Sequence, residues 1–369
     1  MFNYTLRYHF RPRSGWMNDP NGLVWFGGYY HAFFQYCPNH ELPGREPVVW
    51  GHARTKDFLT WEELPVAIRA DAPYDGEGCW SGTALEKDGV LYLFYTSVYK
   101  SGGKNVQTVS MAYSEDGIRF VKCEKNPLIS AYPPEGSDDF RDPAIMRDGE
   151  RFYLVLGTGN KIANAARLVF YESADLINWL YKGILHEWRG GDKLAMRFCE
   201  CPSFLKCGEK YLLSSSVVDE NRMWFSVMQG SFDGNKFSTS TVARIHKGPD
   251  QYAGQIFLDG KGRSILISWI PGWAYEGFAE RSLGCLSLPV EILEKNGKLY
   301  GYPVEEVRHL LKNGDENIVL TDDGFVVRRK RRDDVVYKGV ISDLKVLRDG
   351  YVLEIFINGG ESIITCILC

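Results

Sequence analysis

Three acidic residues recur in matching surroundings: Asp19 in "NDPNG", Asp142 in "RDPAI" and Glu200 in "ECPSF", separated by 123 and 58 residues. A proline follows each one, directly at Pro20 and Pro143 and one residue later at Pro202. Proline biases the preceding backbone toward an extended form, which predicts a fixed side-chain direction. Asp19 lies among Asn18, Asn21 and Gly22, whose amides are expected to donate to it and keep it ionised, as a nucleophile requires. Glu200 lies among Phe198, Cys199, Cys201 and Pro202, an apolar run expected to hold a proton on it near neutral pH, as a general acid requires. Asp142 follows Arg141, whose guanidinium suits the pair to orienting and stabilising a substrate. A charged carboxylate and a protonated carboxyl group among aromatic residues, here 14 % of the chain, are the equipment for glycosidic bond cleavage. An aspartate before proline is also a common turn former, so none of the three is informative alone.

Their shared phase within a repeat carries the reading. Runs that begin with a turn signal and continue as an aromatic or β-branched strand start at Gly27, Asp88, Asp148, Cys207 and Gly260, at intervals of 61, 60, 59 and 53. A second ladder, "TKDFLTW", "SEDGIRF", "SADLINW" and "SFDGNKF", starts at Thr55, Ser114, Ser173 and Ser231, at intervals of 59, 59 and 58. A period of this size, filled by short strands, is the signature of a β-propeller blade. The chain is therefore expected to be all-β. A five-bladed β-propeller is expected over residues 1–300, a linker able to form a short helix over 301–311, and a small, truncated β-sandwich-like domain over 312–369. The segments "NDPNG", "CWSGT", "RDPAI", "ECPSF" and "DQYAGQ" would then open the innermost strand of each blade, where equivalent positions converge on one axis.

Composition narrows the partners. Charged residues make up 24 % and the net charge is −4, so no field draws the chain to nucleic acid or an acidic membrane, and a neutral small molecule is the expected partner. No stretch approaches 18 apolar residues and the first residues show no apolar signal core. With nine cysteines, an odd number, this predicts free thiols and a cytoplasmic protein. Cys199 and Cys201 and seven scattered histidines lack metal-ligand spacing, so no metal is expected. The run from Arg328 to Arg332 reads as a solvated strand or hairpin.

"WMNDPNG", "RDP" and "ECP", in that order and at these distances, resemble the three motifs of glycoside hydrolase family 32, the invertases, fructanases and sucrose-6-phosphate hydrolases. The likeness extends to "WGHARTKDFLTWEELPVAI", "CWSGTAL", "GCLSLPVEI" and "LEIFINGGESIIT". It implies a five-bladed propeller with a β-sandwich, and a retaining β-fructofuranosidase in which Asp19 attacks C2 of a fructosyl unit, Glu200 is acid/base and Asp142 stabilises the transition state. It further implies a fructose pocket lined by Trp16, Asn18, Gln35, Trp50, Trp80, Ser81, Arg141, Asp250 and Trp269, without a cofactor. The substrate stays open among sucrose, sucrose 6-phosphate and short fructo-oligosaccharides. A fructosyltransferase, an inverting arabinan-type furanosidase or a non-catalytic sugar-binding propeller would share the scaffold. A phosphate would need basic residues, for which Arg45, Arg54, Lys161 and Arg197 are the candidates. The chain departs from the family pattern at Cys37, Cys199 and Ser203, and its C-terminal part is short, which predicts an exposed sheet edge that a homodimer would cover.

Overall fold

The computed structural model describes residues 5–42, 44–191, 195–271, 284–330 and 332–368. Four successive antiparallel sheets have four strands each. They are β1 (Trp16–Phe26), β2 (Tyr29–Cys37), β3 (Val49–Thr55) and β4 (Trp61–Ile68); β5 (Gly78–Lys87), β6 (Val90–Ser101), β7 (Lys104–Ser114) and β8 (Val121–Lys122); β9 (Phe140–Asp148), β10 (Arg151–Asn160), β11 (Ala165–Ser173) and β12 (Leu180–Arg189); and β13 (Met196–Cys207), β14 (Lys210–Asp219), β15 (Met223–Phe232) and β16 (Phe237–Ala243). The fifth sheet contains β17 (Tyr252–Leu258), β18 (Ser264–Ile270), β19 (Cys285–Leu286), β20 (Val290–Lys295) and β21 (Lys298–Pro303), with β19 pairing only to β18.

Local chemistry explains why each repeat folds as a meander. At the β5–β6 hairpin Asp88 and Gly89 take φ of 55° and 78°, the paired left-handed conformation that matches strand twist. The second sequence ladder falls on the link between third and fourth strands. There Asp57, Asp116, Asp175 and Asp233 each accept two backbone N–H groups two and three residues ahead, at 2.7 to 2.9 Å. These are turns nucleated by an aspartate side chain, one per sheet.

Apolar faces bury between neighbouring sheets. Between the third and fourth, Phe204 is wholly buried and meets Phe232 and Phe237 edge-on at centroid distances of 5.1 and 6.0 Å. Phe204→Ala is expected to lower unfolding free energy by about 3–5 kcal/mol, because a filled interface becomes a cavity. A urea titration showing less than about 1 kcal/mol would contradict that packing role.

The first strands of the five sheets pack in sequence: β1 on β5, β5 on β9, β9 on β13, β13 on β17, and β17 on β1. Each carries a register shift at the same phase, at Met17–Pro20, Trp80–Gly82, Arg141–Ala144, Glu200–Ser203 and Tyr252–Gln255. A bulge bends the strand and re-aims one side chain. The extended backbone expected before proline is absent at two of these places: Asp142, before Pro143, has φ of 61°, and Cys201, before Pro202, has φ of 47°. The bulge overrides the proline bias, at a cost of about 1–3 kcal/mol for each left-handed residue.

A 3-10 helix, Glu305–Leu310, leads from β21 to two three-stranded sheets. One holds β22 (Ile318–Thr321), β23 (Gly324–Val327) and β24 (Val335–Lys338), the other β25 (Leu344–Asp349), β26 (Val352–Ile357) and β27 (Ser362–Ile367). Phe325, Val327 and Val335 of the first sheet pack on Leu353, Ile355 and Ile364 of the second. Alternate residues of β26 and β27 face the other way: Phe356 and Ile363 join the core of the fifth sheet, so this layer is covered on both sides. Both its edges are also engaged, β25 by Lys312 and β27 by Ile245 and Lys247. The exposed edges expected of a short domain are instead in the other sheet, whose outer strands β22 and β24 carry Leu320 and Val336 at 67 % and 59 % exposure.

Candidate active site

The bulged ends of the first strands surround a cavity of about 830 Å³ lined by Asp19, Asp142 and Glu200, with Asn18, Gln35, Trp80, Arg141, Asp250 and Trp269. Three expected residues do not line it. Trp50 is wholly buried, its ring packed near Phe33 and Tyr95 and its Nε1 donating to the Trp80 carbonyl at 3.0 Å. Ser81 lies behind the wall and donates to Asp19, and Trp16 is buried at the start of β1 opposite Cys37.

Asp19 is buried, and its Oδ2 accepts from Ser81 Oγ at 2.7 Å, Gln35 Nε2 at 3.3 Å and Cys201 Sγ at 3.5 Å. These donors come from β5, β2 and β13; among the described residues none comes from the asparagines and glycine beside Asp19 in sequence. Burial, then the negative charge of Asp142, pushes the Asp19 carboxyl up to about 7. The expectation of a readily ionised Asp19 is therefore corrected, because its neighbours in space include two other carboxylates.

Asp142 takes its left-handed backbone with its N–H on Thr96 Oγ1 at 2.8 Å and its Oδ2 accepting from the Cys201 N–H at 2.9 Å. Burial and then Glu200 raise its carboxyl to about 6, against the pull of Arg141. Glu200 is also differently placed from its sequence neighbourhood. Its Oε1 accepts from Arg141 Nε at 2.8 Å and its Oε2 from the Tyr252 hydroxyl, so polar groups hold it and the apolar run does not. Arg141 is fixed further by Asp139 at 2.9 Å, Gln107 at 3.2 Å and the face of Phe198. Cys199 turns away to the Arg167 carbonyl at 3.0 Å. Among the described residues no group of His, Cys, Asp and Glu is arranged to hold a metal ion.

Sequence reasoning missed Gln107, Asp139, Met223 and Tyr252 on the cavity wall, and also Arg329 and Arg332 from the C-terminal sheets. Tyr252 lies in the "DQYAGQ" segment at the right phase, beside the more conspicuous carboxylate of Asp250; Gln107 and Met223 have no motif to mark them. The basic run is not simply solvated, because Arg329 is 7 % exposed at its side chain and pairs with Asp250 at 3.2 Å. Arg331 of that run lies outside the described residues. None of Arg45, Arg54, Lys161 and Arg197 lines the cavity.

The arrangement brings a buried carboxyl group, a second carboxylate and a glutamate held by arginine and tyrosine to one opening of disaccharide size. Known proteins are similar to this chain in sequence and in fold. The Escherichia coli sucrose-6-phosphate hydrolase is 35 % identical over 320 residues, covering 82 % of this chain and 65 % of the relative. The Escherichia coli raffinose invertase matches with the same identity and coverage, so the chain spans just under two thirds of the length of both. Among solved structures, a Bombyx mori family 32 beta-fructofuranosidase in complex with sucrose superposes with a TM-score of 0.83 at 26 % identity, over 99 % of this chain and 89 % of that one. The sucrose-6-phosphate hydrolase from Lactobacillus gasseri shares the fold, with a TM-score of 0.84 at 24 % identity over 99 % of this chain and 88 % of that one. Residues 9–303 match the glycosyl hydrolases family 32 N-terminal domain, and the chain belongs to that family.

Proposed function

We propose that the chain is a retaining β-fructofuranosidase that hydrolyses the fructosyl bond of sucrose, sucrose 6-phosphate or a short fructo-oligosaccharide. The observation that carries this reading is the meeting of Asp19, Asp142 and Glu200, from three different first strands, in one cavity. All three fall within residues 9–303, the part of the chain that matches the family 32 N-terminal domain, which supports the reading.

In the proposed reaction, an Asp19 carboxylate oxygen attacks C2 of the fructosyl unit as Glu200 gives its proton to the leaving oxygen. A covalent fructosyl-enzyme forms. Glu200 then takes a proton from water, which attacks C2 and releases fructose and a carboxylate at Asp19. Positive charge develops on the furanose in both steps, and the clustered carboxylates of Asp19 and Asp142 stabilise it. The same clustering that disfavours ionisation of these carboxyl groups therefore favours the positively charged transition state. Trp80 and Trp269 offer apolar faces, and Asn18, Gln35 and Arg141 offer donors to sugar hydroxyls.

The scaffold we propose is a single ring of five blades over residues 1–300, its closure supported by the packing of β17 on β1. The linker is residues 301–311 and the β-sandwich residues 312–369. The eight described cysteines stand as free thiols, which supports a reducing compartment. No helix among the described residues is long and apolar enough to cross a membrane.

The test is incubation with sucrose, sucrose 6-phosphate and kestose, following by NMR the anomer of fructose that is released first. β-Fructofuranose appearing first is the expected result. The α anomer first would overturn retention, and no fructose from any substrate would overturn the activity.

A further inference from the structure

β24 is an outer strand, and among the described residues it pairs with β23 alone. The Gly339 N–H donates to the Asp323 carbonyl at 2.8 Å, which fixes the alternation of the antiparallel ladder. Val335 and Tyr337 bond inward to β23, so Asp334, Val336 and Lys338 turn their N–H and C=O groups to the open edge. The side chains of these three residues share the outer face of the sheet, opposite the buried Val335. Val336 is in register with Val326, and Val326 with Val319, so a row of three valines crosses the sheet and stops at the exposed Val336. Edge strands are usually guarded by a charge, a proline or a bulge; β24 has none of these between Val335 and Tyr337.

The strand is also self-complementary about Val336, with Asp333 and Asp334 on one side and Lys338 on the other. In an antiparallel pairing of two copies centred on Val336, Asp334 faces the partner's Lys338 and Val335 faces the partner's Tyr337. The outward residues then exchange both backbone bonds, Val336 with the partner's Val336 on the two-fold axis and Asp334 with the partner's Lys338 on either side of it. The valine row runs on across six strands, and pairs of opposite charge close both ends. The other outer strand, β22, lacks this symmetry. Asp315 and Glu316 precede it and Asp322 and Asp323 follow it, so antiparallel pairing of two copies sets acid against acid. The start of β24 also adjoins the cavity, because the Asp333 carbonyl and the Asp334 carboxylate fix Arg329 in its wall.

We propose that two copies of this chain join edge to edge through β24, antiparallel and centred on Val336, so that their C-terminal sheets form one six-stranded sheet. The partner is a second copy of the chain. The seam forms whatever sugar the cavity accepts.

Sedimentation equilibrium of the full chain, from low to high micromolar concentration, is expected to show a species of twice the chain mass at the upper end. Val336→Glu sets two like charges on the axis, and Val336→Pro removes an outward N–H without removing an inward bond. Each is expected to raise the dissociation constant more than about tenfold while circular dichroism keeps the wild-type spectrum. Lys338→Glu is expected to weaken the dimer in the same direction, and Leu320→Glu on β22 to leave it unchanged. Val336→Cys is expected to give a covalent dimer on mild oxidation, because a hydrogen-bonded antiparallel pair sets its Cα atoms about 5.5 Å apart, within reach of a disulfide. Wild type under the same treatment is expected to stay uncrosslinked. A wild type that is monomeric throughout the series overturns the proposal, as does a dimer that survives both Val336→Glu and Val336→Pro or that Leu320→Glu dissolves. A dimeric, folded Val336→Cys sample that forms no interchain disulfide also overturns it.

Discussion

Asp19→Asn is expected to lower kcat on fructosides by roughly 10⁴- to 10⁶-fold and, at the same time, to make the protein more stable. The loss follows from removing the group that forms the covalent bond while keeping its shape and its contacts with Ser81 and Gln35. The gain follows from burial. The Asp19 carboxyl is raised from 3.8 to about 7, so the folded chain holds a proton there that the unfolded chain has released. Across that interval stability falls as pH rises, and above about 7 the full penalty of a buried charge beside Asp142 is present. The asparagine variant should therefore gain most above pH 7, by about 1 kcal/mol or more. Urea titrations at pH 5 and pH 8 check the stability, and single-turnover kinetics check the rate. Retention of more than about one per cent of kcat would sink the nucleophile assignment. In the wild type, kcat/KM should fall as pH is lowered through the range from about 7 to about 6, where Asp19 and Asp142 take up protons. An acid limb near pH 4 would show that the cluster does not perturb them.

His9→Ala is expected to cost about 3–5 kcal/mol of stability, because it strips the cation from a buried pair of carboxylates. The His9 ring bonds Asp349 through Nδ1 at 2.9 Å and Glu354 through Nε2 at 3.0 Å. Two acceptors on one imidazole require both nitrogens to donate, which only the charged ring does. Burial opposes that charge, yet the two carboxylates raise His9 from 6.5 to about 9. The contribution of His9 is thus fully present below pH 6.5 and is lost as pH rises through about 9. On the acid side burial works against the Asp349 charge, but the His9 contact lowers its carboxyl from 3.8 to about 2, so that part is lost only as pH falls through about 2. The cluster joins the N-terminal segment to β25 and β26, and Glu354 also takes the Leu288 N–H at 3.0 Å. Denaturation should show the gap between wild type and variant wide at pH 6 and narrow at pH 10. A gap independent of pH would mean the histidine acts by packing alone.

The five sheets were legible because their signals are local. A turn pair such as Asp88–Gly89 and an aspartate two residues into a turn, as at Asp175, announce themselves within a few residues. The phase of Asp19, Asp142 and Glu200 was legible for the same reason, since bulge and motif coincide in the chain. The ionisation of Asp19 was not, because what raises it is burial beneath distant strands and then the charge of Asp142, 123 residues away, and the groups that hold Glu200 in place lie on β9 and β17. Trp50 carried the right residue type, but its strand alternation sends the ring into the core between sheets. Arg329 was misread as solvated because its partner Asp250 is 79 residues distant and belongs to another layer.

The shared bulge breaks the two-residue alternation of the first strand of every repeat, and a site residue lies at or beside the break each time. Carboxylates occupy three of the five sites, while β5 presents Trp80 to the opening and β17 presents Tyr252. The backbone thus offers a set of interchangeable seats around one opening, and a seat's occupant can change without asking the sheet behind it to refold. Of the two seats without a carboxylate, Trp80 can change with least effect on the reacting groups, whereas Tyr252 is tied to them through Glu200.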